Sequence, residues 1–342
     1  MTSIRRVHGT TDLIPLVPHL IGMTPVDSVV LIPLTGNRTQ GALRANRPTG
    51  LDIPTTIRTA AHLIGMLCNL DTVDSLLPLI YTPHTIAAAT EDRILLAALV
   101  DRALAAGFEV PDAVLIGADG WIAVDDDPTT PNPHVTTVVQ DLPPLLDPTQ
   151  AGSIRPADPD ASTALDAHRH DARIIAAAAF HSFDPTDAIE TAITSTTPSA
   201  LLACLSAIPT LRDLVLLQTG WGHRFGQDAW RRTVLDPNPL GMDEDAAVAY
   251  RGGNFRRPDV DRIRALITAL QATAPAASTT ERTGITAMLA WLHWSLGAST
   301  IAGHLATAAL ATDPGHGLAR IIDGLISHGT LPEWAWRAQP RP

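Results

Sequence analysis

The stretch from Asp125 to Ser162 constrains this chain more than any other. It reads DDDPTTPNPH and then, after VTTVVQ, DLPPLLDPTQAGSIRPADPDAS, with eight prolines and seven aspartates. Each proline lacks a backbone N–H and fixes φ at about −65°, so neither a helix interior nor a central strand runs through it. A chain of 342 residues interrupted there has enough length for a core on either side. The expected units are 1–124 and 161–342, joined by a linker at 125–160. Val135 to Val139 has the composition of one short edge strand within that linker.

Upstream, strand and helix signals alternate. Val29 to Ile32 is an unbroken aliphatic run, and Thr35-Gly36-Asn37 with the mixed stretch to Asn46 reads as a hairpin. Ile57, Ala61, Ile64 and Cys68 predict a helix from about Pro54 to Cys68 with that stripe inward. Leu76 to Tyr81 reads as a strand, and Pro78 assigns it to an edge or a bulge. Thr90 is positioned to cap a helix whose apolar residues are Leu95, Leu96, Leu99, Val100, Ala103 and Leu104 and which Gly107 stops. Ala113 to Ile116 and Trp121 to Val124 flank Gly117-Ala118-Asp119-Gly120, where Asp-Gly is a hairpin signal. The order ββαβαββ implies an α/β domain with a mixed, partly parallel sheet. Downstream of the linker the apolar period is helical almost throughout, near 161–182, 185–195, 198–219, 226–234, 243–250, 258–273, 282–296, 299–312, 315–328 and 331–337. The second domain is therefore expected to be all-α.

Charge narrows the partners. A formal net charge of −11, from 24 cationic and 35 acidic residues, argues against duplex nucleic acid, whose phosphates need a dense cationic face. Every cation is arginine, which excludes lysine Schiff-base chemistry. Cys68 and Cys204 sit in apolar runs and read as buried, reduced thiols of a cytoplasmic protein. The opening MTSIRRVHGTTDLIPLVPHL is broken by Asp12, Pro15 and Pro18 and lacks the apolar core of an export signal. Gly284 to Thr312 carries no charged residue and is long enough to span a bilayer. Gly297 divides it, however, so a buried helical hairpin is expected and no membrane partner.

Catalytic signatures are missing. There is no Gly-x-Ser-x-Gly elbow, phosphate-binding Gly-Lys-Ser/Thr loop or His-Glu-x-x-His helix. His168, His170 and His181 with Asp166 and Asp171 form the densest metal-capable group. Helical residues two apart diverge, so no metal is expected and Asp166 with His170 reads as a surface pair. Asp125-Asp126-Asp127 lacks the alternating ligands and glycine of a calcium loop. Gly220 to Gly226 (GWGHRFG) imitates a dinucleotide-binding turn, but Trp221, Arg224 and Phe225 would block a pyrophosphate. A helix ending in a glycine-rich loop is expected there, and no cofactor.

Topology supplies the remaining candidates. Ligands of open α/β sheets sit beyond the carboxyl ends of parallel strands. Thr82, His84 and Thr85 follow the Leu76–Tyr81 strand and precede a helix N-terminus, a geometry suited to an anion; an ordinary strand-to-helix loop is the plain alternative. Asp27 and Ser28 enter the first strand from the opposite end and are either ligand groups or turn and cap residues. Arg251, Arg256 and Arg257 form a compact basic cluster, read as a charged loop opposite Asp259 and Asp261.

Several strings resemble a known family. Asp12-Leu13, Val17-Pro18-His19-Leu20-Ile21-Gly22 and Pro25-Val26-Asp27-Ser28-Val29-Val30 resemble the opening of an actinobacterial family, domain of unknown function 4192. Ala290-Trp291, Gly297, Ala309-Leu310, Asp313-Pro314-Gly315, Leu318-Ala319-Arg320 and Pro332-Glu333-Trp334 resemble its close, and Arg212-Asp213 is a third match. The resemblance covers essentially the whole chain and implies no activity, cofactor or catalytic residue. The resemblance has one departure: many members of that family carry a cysteine-rich segment where this chain has Asp125 to Pro131. Gly297, Ala302, Ala309, Leu310, Asp313 and Pro314 also resemble one tetratricopeptide hairpin, within 282–328.

Together these observations lead to a protein- or peptide-binding helical half beside a regulatory or ligand-binding α/β half. The interaction residues on that reading are Trp291, Trp294 and Arg320, with Trp334 and Trp336 in an exposed tail, LPEWAWRAQPRP. The alternative is a small-molecule hydrolase or transferase acting on an anionic substrate near His84. The composition of the linker predicts that limited proteolysis cuts first between Asp125 and Ser162 and leaves two stable fragments. First cuts inside 91–107 or 282–311, seen by mass spectrometry of the early digest, would contradict the division.

Overall fold

Both parities of the first strand, β1 (Ser28–Leu34), are buried from Ser28 to Ile32. A strand whose alternate side chains are all out of water needs cover on both faces of its sheet. The computed structural model shows how this cover is provided. It describes residues 9–21, 23–36, 38–39, 41–68, 70, 73–134, 154–178, 184–193, 199–235, 244–253 and 256–335, in two units, Met1–Pro148 and Thr149–Pro342.

In the first unit β1 joins β2 (Leu43–Asn46), β3 (Ser75–Tyr81), β4 (Val114–Gly117) and β5 (Gly120–Ala123) in a five-stranded sheet of order β2-β1-β3-β4-β5. Neighbours are antiparallel except β3 and β4. The expected mixed α/β architecture is therefore present. One face is covered by α1 (Thr10–Leu13) and α2 (Val17–Ile21), which lay Leu13 and Val17 on Val30, Ile32, Leu79 and Ile116. The sequence reading missed this cover. Pro15 and Pro18 fall at the start of short helical pieces, where a missing N–H breaks no hydrogen bond. On the other side α3 (Ile53–Leu67) packs on α4 (Thr90–Ala105), which lies against β3 and β4.

Details differ from expectation for identifiable reasons. The buried stripe of α3 is Thr56, Ala60, Leu63, Ile64 and Leu67, while Ile57, Ala61 and Cys68 are exposed. Burying Leu63 and Leu67 removes more apolar area from water than burying Ala61 and Cys68. Thr90 is the first residue of α4 and its side chain caps nothing there; Ala89 holds the cap position. Leu104 is exposed on α4. Pro78 does not mark an edge, since β3 lies between β1 and β4. The N–H groups of Leu76 and Thr82 reach Glu109 and Ile116 on the β4 side, so by alternation Pro78 faces that side as well. It falls in the gap between Glu109 and Val114, before β4 begins, where no ladder bond is lost. The β4–β5 hairpin turns on Ala118-Asp119, with Gly117 opposite Gly120.

The chain beyond β5 stays with the sheet as far as His134. Trp121 and Asn132 exchange backbone hydrogen bonds of 2.9 and 2.8 Å, and the carboxylate of Asp126 accepts the N–H of Ala123. This removes 125–134 from the expected linker. Val135 to Val139 lies outside the described residues.

The second unit is built of helices, with no strand among its described residues. Its helices are α5 (Pro159–Ala178), α6 (Thr186–Ile193), α7 (Ala200–Ser206), α8 (Pro209–Trp221), α9 (His223–Leu235), α10 (Glu244–Tyr250), α11 (Val260–Thr273), α12 (Thr279–Ser295), α13 (Ser299–Thr312) and α14 (Gly317–Ser327). The single helix expected at 198–219 is two, bent by 116°. Pro209 forces Ile208 into an extended conformation and starts the second piece. GWGHRFG is a one-residue joint rather than a loop: α8 runs through Gly220 to Trp221, Gly222 turns at φ 92°, and α9 starts at His223. Only a residue tolerant of positive φ connects two helices so abruptly.

Gly284 to Thr312 forms the expected hairpin, α12 and α13 meeting at Gly297 (φ 83°) with Ala302 and Ala309 buried between helices. Among the described residues no single helix is long and apolar enough to cross a membrane. The described part of the tail, as far as residue 335, does not project. Trp334 is buried, edge-on to Trp221 at 5.6 Å and to Trp294 at 6.3 Å, and Trp221 also meets Trp291 at 6.2 Å. The indole N–H of each of these four rings reaches a carbonyl: Trp221 to Arg256, Trp291 to Tyr250, Trp294 to Thr330 and Trp334 to Ser295.

Helix α12 approaches α7 closely where Gly284 meets the backbone of Ser206, in the space a Cβ would need. Gly284→Ala is expected to destabilise the unit by about 1–3 kcal/mol through overpacking. Gly303→Ala, whose Cβ would lie 3.8 Å from Ile326, should be neutral or stabilising by up to about 1 kcal/mol. Urea unfolding of the two variants checks the contrast.

Candidate functional site

Strand direction decides which sequence candidates meet. Because β1 runs antiparallel to β3, Ser28 pairs with Tyr81, and Asp27 and Ser28 lie at the same end of the sheet as Thr82, not at the opposite end. Thr82 is buried, and its N–H reaches Ile116.

A charge cluster occupies this end. Asp27 has φ 50°, the one positive value of a non-glycine residue among those described, a conformation that aspartate tolerates better than most side chains. Its carbonyl accepts the N–H of Arg47, and its carboxylate accepts Arg47 Nε at 2.5 Å. Arg47 is buried and reaches Asp92 with Nη1 at 2.9 Å; the Asp92 side chain is 2% exposed and that of Asp27 49%. Burial alone would lower the Arg47 pKa, but the hydrogen bonds to both carboxylates hold it above its ordinary value. Arg44 donates to the Ser28 hydroxyl and Asn46, and Ser28 donates to the carbonyl of Val26. Nearby, the Tyr81 hydroxyl is buried without a partner among the described residues, and burial raises its pKa.

The local geometry lends no support to the anion reading of Thr82, His84 and Thr85. Helix α4 begins at Thr90, five residues beyond Thr85, and its first turn carries Glu91 and Asp92, which oppose an anion. His84 and Thr85 are exposed. The carbonyl of His84 accepts from Ala118, and Asp119 takes the N–H of Ile86. These bonds fasten the 82–89 loop to the β4–β5 turn.

In the second unit the interaction candidates separate. Trp291, Trp294 and Trp334 belong to the core, since burying an indole beside other rings removes more apolar area from water than any contact a free surface offers. Arg320 is exposed, and Trp336 lies outside the described residues. His168 and His170 are exposed on α5, and Asp166 pairs with Arg169 rather than His170; His181 lies outside the described residues. The basic cluster is spread out, Arg251 on the carbonyl of Ala247 and Arg256 on that of Trp221.

Sequence reasoning did not find a cleft of about 440 Å³ lined by Arg173, Ala176 and Ala177 of α5, Cys204, Ala207, Ile208 and the start of α12 at Ser278, Thr280 and Glu281. Its polar floor is already engaged. Arg169 Nη1 lies 2.5 Å from both oxygens of Glu281, and Glu281 caps α12 through the N–H and hydroxyl of Ser278. Burial opposes ionisation of Glu281, but Arg169 and Ser278 hold its pKa below the ordinary value. Burial, with Glu281 beside it, pushes the Cys204 thiol up. A thiol held protonated is a weak nucleophile. The hollow at Pro48, Leu51 and Ile94 holds about 30 Å³, near the share of a single water.

No family model matches the chain, and no curated protein or solved structure matches it.

The charge cluster makes a direct stability prediction. Arg47→Leu leaves Asp92 buried and unpaired, and is expected to cost about 3–5 kcal/mol. Asp27→Asn, at the half-exposed end, should cost less than about 1 kcal/mol. Equal effects in urea titrations would show that Asp92 does not depend on Arg47.

Proposed function

We propose that this chain is a binding and regulatory protein whose helical unit receives a short segment of a partner polypeptide in the cleft between α5, α7 and α12. The observation that carries this reading is the lining. Ala176, Ala177, Ala207 and Ile208 form a trough of about 440 Å³, within the roughly 300–1,000 Å³ typical of ligand sites. The groups that could do chemistry there are committed elsewhere, Cys204 as a protonated thiol and Glu281 to Arg169. Arg173 stands on the cleft, exposed and in no ion pair among the described residues, so an acidic residue in the partner segment would complement it. Two unpaired cysteines favour a reducing, cytoplasmic setting.

Membership of the domain of unknown function 4192 family is proposed with it. What supports this is that the resembling residues are neighbours in the helical core. Arg212 contacts His316, which follows Asp313-Pro314-Gly315, and Trp291 and Trp334 both meet Trp221.

Selection of a displayed peptide library on the full chain tests the function. Enriched sequences should contain an acidic residue beside small apolar ones. Their binding should fall at least about tenfold on Ala177→Trp, which fills the trough from an exposed helical position, a loss of about 1.4 kcal/mol. No enrichment, or peptides that bind Ala177→Trp as well as the native chain at equal thermal stability, would refute the proposal.

A further inference from the structure

The turn Asp313-Pro314-Gly315 delivers His316 to the start of α14, where its ring replaces the usual serine or aspartate cap. Nδ1 accepts the N–H of Ala319 at 3.3 Å. Nε2 faces Nη1 of Arg212, on α8, at 3.2 Å. Arg212 is held in place. It is buried, its Nε binds Asp213 Oδ1 at 2.9 Å, and the same oxygen accepts the hydroxyl of Tyr250 at 2.8 Å. Tyr250 in turn stacks on Trp291, whose indole N–H holds the Tyr250 carbonyl.

Two donors therefore face one imidazole. A neutral ring has a single lone pair to offer, and an imidazolium has none. With the lone pair on Nδ1 accepting from Ala319, Nε2 carries the hydrogen and faces Arg212 donor to donor; protonation removes the Nδ1 cap as well and adds a positive charge beside Arg212 and at a helix N-terminus, where the macrodipole opposes it.

We propose that His316 is an acid-sensitive latch: its neutral ring caps the first turn of α14 through Nδ1, and its protonation beside Arg212 removes that cap and releases the turn while α12 stays folded. The groups that face the ring are Arg212 and, beyond it, Asp213 from α8, Tyr250 from α10 through Asp213, and Asp313 from the preceding turn. Burial and then Arg212 resist the proton, Asp313 and Asp213 favour it, and the balance lowers the ring's pKa from the ordinary 6.5. A group whose folded pKa is depressed stabilises the fold above its ordinary pKa, and this contribution fades as pH falls towards the folded value. The latch is thus closed at neutral pH and opens on the acid side. Release would bare Leu318, Ala319 and Ile322, the buried face of α14.

Hydrogen exchange of the full chain from pH 7.5 to 5, corrected for intrinsic rates, tests this. The opening equilibrium at Leu318, Ala319 and Arg320 should grow with acidity by up to about tenfold per pH unit, the limit for one proton, while amides of α12 keep their protection. His316→Asn retains a capping acceptor without a titrating ring and should flatten the dependence. NMR titration of the His316 ring in the native chain should follow the same curve as the α14 amides. An acid response that persists in His316→Asn, parallel opening of α12, or no response in the native chain would overturn the proposal.

Discussion

A buried N–H without an acceptor costs about 1–3 kcal/mol, and that constraint organises both units. In the helical unit four indoles could pack in many ways for area alone. Requiring each N–H to reach a carbonyl fixes them, because Trp334 must meet Ser295 and Trp294 must meet Thr330. Those bonds join the end of α12 to the chain that follows α14. In the α/β unit Arg47 carries the same demand in charged form, and Asp27, Asp92 and the positive φ of Asp27 answer it.

Much of the architecture was legible in the sequence because it rests on period and punctuation. The alternation ββαβαββ and the glycine stops at Gly107 and Gly297 appear where the residues indicate. What was not legible depends on partners distant in sequence. Pro78 reads as an edge signal until the gap between Glu109 and Val114 is known. Asp27 and Thr82 look like opposite ends of a sheet until β1 is seen to run against β3. Tryptophan near a terminus suggests a docking tail, yet the neighbouring rings that bury Trp334 come from α8 and α12.

The cleft illustrates the same limit. Its wall is assembled from residues 173–177, 204–208 and 278–281, and none of these strings is unusual alone. Alanine at a helical position reads as a good helix former; only opposition of several such positions turns missing side-chain volume into a trough. The polar groups beneath it, Arg169, Glu281 and Ser278, are a helix cap and its counter-ion. The charges beneath the cleft thus serve construction, with Arg173 exposed on its wall, whereas the charge cluster of the α/β unit is satisfied internally apart from the outer side of Asp27.

The exchange of hydrogen bonds between Trp121 and Asn132 has one more consequence. A sheet's outer strands present unpaired N–H and C=O groups that can recruit strands from other molecules. Beyond β5 that template is occupied at Trp121 by the chain's own returning backbone, which passes so close to Gly120 that no Cβ would fit. At the far edge β2 is four residues long, with Arg44 on it and Arg47 and Pro48 directly after it. Neither border offers a long, flat, apolar run, so the sheet is closed to growth and resists the edge-to-edge aggregation to which small mixed sheets are prone.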